Sequence, residues 1–254
     1  MHPTNIVFLG PAGCGKSSLT GTFSKWLEEE MEFKVAYVNL DPGAFFNPYQ
    51  PDYDIRSLIT VEKIMKNEKL GPNGAMIRCM DLMVKFSKKI ASEISKLKAD
   101  FCLIDTPGQM EPFLLRRAGP EIMKTLSKIG NTVAVFIVAP ELWLSASGLI
   151  IVNLLAIVVQ LRLSVPSVVV FNKADLVRDR ERIELPLTNP EYLKAQINKE
   201  TEGLVSDLAY EIADKVFSMS QAARLVCVSA KTGEGMDQLY DLIHEVFCVC
   251  GDLT

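Results

Sequence analysis

Ile6-Val7-Phe8-Leu9-Gly10-Pro11-Ala12-Gly13-Cys14-Gly15-Lys16-Ser17 is an apolar run that stops at a glycine-rich turn ending in Lys-Ser. A stretch of helical length and composition follows. The order is therefore strand, Gly-x-x-x-x-Gly-Lys-Ser, helix, which is the context in which this motif binds phosphate. Glycines let the backbone curl so that successive N–H groups face inward, and the helix N-terminus adds the positive end of its dipole. Gly10, Pro11, Ala12, Gly13, Cys14, Gly15, Lys16, Ser17 and Ser18 are the expected phosphate-binding residues. Lys16 is expected to reach the β and γ phosphates of a nucleotide. Ser17 is expected to hold magnesium, a hard ion suited to hydroxyl and phosphate oxygens. A strand-to-helix turn that merely happens to carry Lys-Ser is the competing account, and the complete pattern in this context argues against it.

Working outward, short β-branched runs recur at 6–9, 35–40, 101–104, 132–138, 168–171 and 225–228. Helical segments are expected at 17–30, 82–97, 111–128, 145–161, 189–219 and 236–247. Alternation of this kind predicts an α/β fold of three layers, α/β/α, with a mainly parallel sheet, and with the phosphate loop on its first strand the chain resembles a P-loop NTPase. The strand runs are continuously apolar, as strands covered on both faces are. Right-handed crossovers then gather the loops that follow the strands along one edge. Asn189-Pro190-Glu191 carries a helix start signal, and Gly203 is expected to weaken or divide the long segment after it. With no repeat and no low-complexity linker, residues 1–254 are expected to form one domain.

Of the 254 residues, 48% are hydrophobic and 23% charged, which fits an ordinary globular protein. The net charge of −4 offers no footprint for direct nucleic-acid binding or for an anionic membrane. Six cysteines are scattered along the chain, so reduced thiols and a cytoplasmic location are expected. Cys248-x-Cys250 lacks the second pair that a structural zinc site needs. No basic region followed by a long apolar stretch marks a secretion signal. Leu149 to Leu161 is interrupted by Asn153 and Gln160 and stops at Arg162, short of the roughly 20 residues of a membrane span. It is expected to be a core or interface helix.

Phe101-Cys102-Leu103-Ile104-Asp105 ends a second apolar run in a carboxylate, followed by Thr106-Pro107-Gly108-Gln109. An acid at the end of a parallel strand can meet magnesium at the edge where the phosphate loop lies, so Asp105 joins Ser17 as the expected metal pair. Gly108 lets a backbone N–H approach the γ phosphate. Alone, Asp-x-x-Gly is also a good turn; its place after a strand and downstream of the phosphate loop makes it informative. Asn172-Lys173-Ala174-Asp175 and Ser229-Ala230-Lys231 each follow a strand run and resemble the base-recognition elements of GTPases. The Asp175 carboxylate can accept from the ring N–H and exocyclic amine of guanine, donors that adenine does not present in that arrangement. The stem of Lys173 can cover the base, and the Ala230 N–H can donate to the guanine oxygen. A site built on hydrogen bonds rejects a base without the matching groups far better than an apolar slot does.

Leu70-Gly71-Pro72-Asn73-Gly74-Ala75, Asn39-Leu40-Asp41-Pro42, Tyr53-Asp54-Ile55-Arg56 and Asp105-Thr106-Pro107-Gly108-Gln109 together closely resemble the GPN-loop GTPases, over almost the whole chain and most nearly their compact archaeal members. The resemblance implies a homodimer, or a pseudo-symmetric heterodimer, in which Gly71, Pro72 and Asn73 of one subunit reach the phosphates held by the other. It also implies that Asp41 orients or deprotonates the attacking water with help from Gln109. Phosphoryl transfer needs positioning and charge stabilisation more than covalent help, so these roles suit the chemistry. Asp41-Pro42-Gly43 and Gly71-Pro72-Asn73-Gly74 also read as tight turns. The chain departs from the family pattern at Gly43, where Ala is usual, and at Pro112, where an apolar residue is usual; Pro112 suits the first turn of a helix beginning near Glu111. By the same resemblance the enzyme is an assembly, transport or maturation factor for client proteins, RNA polymerase-related ones among them. A kinase that passes the γ phosphate to another acceptor, and a nucleotide-gated scaffold with negligible turnover, are the alternatives. Asp175 and its neighbours weigh against the kinase, and Asp41, Asp105 and Gln109 against the scaffold.

Overall fold

The computed structural model describes residues 3–177, 189–200, 204–220 and 224–247. Its strands are β1 Thr4–Leu9, β2 Val35–Asn39, β3 Tyr53–Asp54, β4 Phe101–Asp105, β5 Asn131–Val138, β6 Ser167–Phe171 and β7 Arg224–Cys227. The helices are α1 Lys16–Glu29, α2 Val61–Glu68, α3 Pro72–Ser95, α4 Met110–Leu115, α5 Ala118–Leu126, α6 Pro140–Trp143, α7 Ala146–Leu163, α8 Pro190–Glu200, α9 Leu204–Ser220 and α10 Met236–Glu245. All seven strands pair in parallel, in the order β3-β2-β4-β1-β5-β6-β7.

Strand alternation divides the apolar runs between two cores. Ile6 and Phe8 face one side with Leu19, Phe23 and Leu27 of α1 and Leu239 and Ile243 of α10. Val7 and Leu9 face the other, with Met80 and Met83 of α3, Phe113 of α4 and Leu149 of α7. The central strands β1, β4, β5 and β6 are thus covered on both faces, which is why β1 and β6 carry no polar alternation. Register then builds the functional edge: Phe8 lies beside Asp105, Asp105 beside Asn39, and Asn39 beside Asp54. The phosphate loop, Asp105 and the segment after β2 consequently leave the sheet side by side.

Several elements differ from expectation. β3 is a two-residue strand at the sheet edge, too short for a propensity signal. α3 begins at Pro72, ten residues before its expected start, with Gly71 as N-cap and Pro72 at the first helical position. The expected 111–128 helix is two, α4 and α5, parted at Arg116, whose backbone is extended. The Arg162 side chain from α7 donates to the carbonyls of Leu114, Leu115 and Arg116, satisfying acceptors that the break exposes. Pro112 falls in the first turn of α4, as expected. Asn189 caps α8, its side chain accepting from Tyr192 N–H at 3.0 Å. The long 189–219 segment is divided into α8 and α9; Gly203 itself, with His2, Cys248 and Cys250, lies outside the described residues. Cys14, Cys79 and Cys102 are buried and form no disulfide. α7 has 18 residues and a mean hydropathy of 2.0, long and apolar enough by length and composition to cross a membrane, with half of it buried inside the fold. It packs on β5, β6, α5, α8 and α9 as a core helix.

Candidate active site

The phosphate loop is shaped by backbone that only glycine tolerates well. Gly15 sits at φ 94°, and a Cβ there would stand 2.4 Å from Asn172 Nδ2. That close approach lets Asn172 donate to Cys14 O at 2.8 Å, tying the base-recognition segment to the phosphate loop. Lys16 is buried, and its ammonium donates to Gly10 O at 2.9 Å and Pro11 O at 3.1 Å, so it is folded over the mouth of the loop. Ser18 lies exposed on the first turn of α1. Cys14 is walled in, and burial pushes its thiol up, which leaves it unreactive.

Asp105, 3% exposed, ends β4 beside the loop. Its Oδ2 accepts from the Ser17 hydroxyl, in a short contact, and from the Tyr49 hydroxyl at 3.2 Å. Its Oδ1 is buried without a hydrogen-bond partner. Burial pushes this carboxyl up to about 6, against the Ser17 hydrogen bond and the charge of Lys16. A hydroxyl and a buried carboxylate with an unclaimed oxygen, side by side at the mouth of a phosphate loop, form a donor set that fits a hard divalent ion with phosphate oxygens completing its shell. Burial, then the charge of Asp105, pushes the Tyr49 phenol up, so it stays a protonated donor.

Asp41, just past β2, is tied on both oxygens. Oδ1 accepts from Gly43 N–H at 2.8 Å and Oδ2 from Gly108 N–H at 3.0 Å. Burial raises its pKa, opposed by those two N–H groups, Lys16 and Arg56. The carboxylate thus bridges the segment after β2 to the glycine expected at the γ phosphate. Sequence alone gave no sign of what holds Asp41. Asn39, fully buried, accepts from Asp41 N–H at 3.0 Å and donates to Asp54 Oδ1 at 3.0 Å. The Arg56 guanidinium grips Asp54 through Nε at 2.9 and 3.0 Å and reaches Ala44 O at 2.8 Å. An acid two residues before an arginine was the available signal, and only the β2–β3 pairing gives it meaning.

Asp41, Gly43, Arg56, Pro72, Asn73, Met76, Gly108 and Gln109 line one cleft of about 1000 Å³ that also touches Ala12. Gly71, Pro72 and Asn73 are exposed, as is Gln109. Pro72 and Asn73 therefore border their own chain's cleft, on the first turn of a long helix and not on a free turn. Phe45 and Phe46 stand exposed on the segment after Asp41, and Phe45 reaches the cleft rim.

At the other end, Lys173 holds a left-handed backbone, φ 62°, uncommon for a residue with a side chain and typical of functional loops. The Ser229 hydroxyl donates to Asp175 Oδ1 at 2.7 Å, orienting an exposed carboxylate. Ala230 N–H, expected to donate to guanine, donates here to Asn172 Oδ1 at 3.1 Å. Thr22 of α1 donates to Ala230 O at 2.6 Å, and Lys231 next to it is exposed. The sheet thus sets Asn172, Asp175, Ser229 and Ala230 together, on the same edge as the phosphate loop.

The family profile described as a conserved hypothetical ATP binding protein matches residues 8–249. The chain is 38% identical to the GPN-loop GTPase PAB0955 of Pyrococcus abyssi, over 98% of this chain and 99% of that one. It is 30% identical to GPN-loop GTPase 1 of Saccharomyces cerevisiae, over 96% of this chain and 66% of the yeast protein. The crystal structure of PAB0955, described as a GTPase in apo form, superposes with a TM-score of 0.86 at 35% identity, covering 97% of this chain and 98% of that one. The profile's description names ATP and the relatives' names GTP; a carboxylate oriented by Ser229 suits guanine, whose edge offers two donors to it. With a strand-loop-helix phosphate cradle, an acid at the end of β4 and a guanine-type loop on one sheet edge, the chain belongs to the GPN-loop GTPases and is a GTP hydrolase.

Proposed function

We propose that the enzyme hydrolyses GTP with magnesium as a homodimer, that Asp41 positions the attacking water, and that Gly71, Pro72 and Asn73 of each subunit serve the site of the other. The observation that carries the first part is the Asp41 carboxylate at the mouth of the phosphate loop, bonded to Gly43 and Gly108 N–H in the cleft it shares with Gln109. Ser17 and Asp105 would hold magnesium, which would supply neutralisation of the phosphate charge. The backbone N–H groups of residues 12–18 and the Lys16 ammonium bind the phosphates. Gly108 N–H, now on Asp41 Oδ2, turns to the γ phosphate, and the oxygen it leaves accepts a hydrogen bond from water. Water attacks the γ phosphorus in line, the bond to the bridging oxygen breaks, and GDP and phosphate result. Asp41 is the group placed to take up the proton that water loses as its oxygen bonds to phosphorus, and burial, which raises the pKa of this carboxyl, favours that uptake.

The exposed Phe45 and Phe46 beside the cleft support a subunit interface there. The position of Pro72 and Asn73 on their own chain's cleft favours a second reading, in which they act within one subunit. A role in the cytoplasm, as an assembly, transport or maturation factor for client proteins such as RNA polymerase components, rests on the family resemblance.

Asp41→Ala is expected to lower kcat on the order of 10²–10⁴-fold with guanine-nucleotide affinity retained; hydrolysis at the native rate defeats the water-positioning role. Mixing Asp41→Ala subunits with Asn73→Ala subunits separates the two readings of the Gly-Pro-Asn sequence. One site of each mixed dimer regains both groups if the loop acts in trans, and none does if it acts in its own chain.

A further inference from the structure

Tyr49 lies ten residues past β2, in a segment with no regular structure, yet its hydroxyl reaches the carboxylate at the end of β4. Its ring stacks on Tyr37 of β2, centroids 5.0 Å apart and planes inclined by 29°, so the side chain is aimed by packing as well as by its hydrogen bond. On Asp105, Ser17 and Tyr49 both donate to Oδ2, while Oδ1 is buried and unclaimed. Two donors on one oxygen fix the rotation of a carboxylate, and they leave its other oxygen as the free acceptor. The backbone of Asp105 also accepts from Leu40 N–H at 2.8 Å, but among the described residues Tyr49 is the one hydrogen-bonding link from the segment between β2 and β3 to the Asp105 carboxylate.

We propose that Tyr49 is a positioning residue for the metal: its hydroxyl sets the Asp105 carboxylate so that Oδ1 is presented to magnesium, and it ties the segment 43–52 to metal binding. This rests on the reading of Ser17 and Asp105 as the magnesium pair. Groups that hydrogen-bond a metal-ligating carboxylate fix its orientation, and removing one weakens metal binding on the order of 10–100-fold. Tyr49→Phe removes the hydroxyl and keeps the ring on Tyr37, so it isolates the hydrogen bond from the packing. The same link gives the segment that carries Asp41 a reason to respond to the ion.

The test is magnesium titration of the full chain with GDP bound, read by calorimetry and by amide hydrogen exchange. In Tyr49→Phe, magnesium affinity is expected to fall roughly tenfold, at the lower end of the range for such partners, while GDP affinity measured in EDTA stays at the native value. Magnesium is expected to slow exchange across 43–52 in the native protein and to leave it unchanged in Tyr49→Phe. Native magnesium affinity in Tyr49→Phe overturns the proposal, as does a loss of GDP affinity in EDTA equal to the loss with magnesium, which marks a structural role only. Ser17→Ala and Asp105→Asn are the controls: if they bind magnesium as the native protein does, it is the metal pair that is wrong; if they lose it while Tyr49→Phe does not, the error lies in Tyr49 alone.

Discussion

The two ends of the nucleotide site are built on different principles. At the base end, the groups that would read the nucleotide sit directly after β6 and β7, and Asp175 is held by Ser229 with its outer face open to solvent. At the switch end, the groups that matter hold one another: Asp41 grips Gly43 and Gly108, Asp105 is gripped by Ser17 and Tyr49, and Asp54 is locked by Arg56 and Asn39. At the base end a single internal bond, Ala230 N–H to Asn172 Oδ1, would be exchanged for one to guanine, and the Asp175 carboxylate is already held facing outward. The γ-phosphate end must exchange internal hydrogen bonds for ligand ones, and that exchange is what can make the enzyme respond to GTP differently from GDP.

The contrast breaks most visibly at Asp175. Asp175→Ala removes the acceptor for two guanine donors while leaving the sheet and the phosphate loop intact. GTP affinity is expected to drop on the order of 10²–10⁴-fold, two hydrogen bonds to a charged group each contributing about 1.5–3 kcal/mol. ATP affinity should hardly move. Competition between the two nucleotides measures this directly. A variant that still prefers GTP by the native factor places base selection elsewhere and removes the prearranged end of the comparison.

How much of this was legible in sequence follows the same division. The Gly10–Ser17 loop, Asp105, Asn172 to Asp175 and Ser229 are local patterns behind apolar runs, and their spacing alone placed them on one edge. Asn39, Asp54, Arg56 and Tyr49 were not legible as a device, because their partnership exists only after β3 pairs with the end of β2 and β2 with β4. Side chains that meet through register leave no periodic trace. The division of α4 from α5 was hidden for a related reason: its carbonyls are satisfied by Arg162, distant in sequence. Pro72 shows the opposite case, since Gly-Pro is itself a helix start signal and could have placed the beginning of α3.

The switch end is sharpened by a milder change. Arg56 uses its planar fork on Asp54 and a further nitrogen on Ala44 O, so it fixes the backbone on either side of Asp41. Arg56→Lys keeps the charge and loses the fork, a substitution that is not conservative at such a site. The expected result is a roughly tenfold lower kcat, the cost of loosening a positioned group by about one hydrogen bond. GDP affinity is expected to be unchanged and exchange faster at residues 41–44. Full activity in this variant means that Asp41 holds its place through Gly43 and Gly108 alone.

The smallest effect concerns stability, and its sign follows from the environment of Asp54. Burial pushes this carboxyl up, but the Arg56 side chain and N–H and the Asn39 amide outweigh it, and its pKa ends below the ordinary aspartate value of 3.8. A group depressed in the folded state contributes stability that is fully present above its unfolded pKa and disappears as pH falls through the folded one. Asp54→Asn should therefore cost stability at neutral pH, about 1 kcal/mol or roughly 2–4 °C in Tm for a partly exposed ion pair. The native and variant melting curves should approach each other only below about pH 4, as the native carboxyl takes up its proton. The other site carboxylates, Asp41 and Asp105, are shifted the opposite way by burial, so acidification relieves them equally in both proteins and does not close the gap; melting curves that already coincide at neutral pH would leave the Asp54 lock without energetic weight.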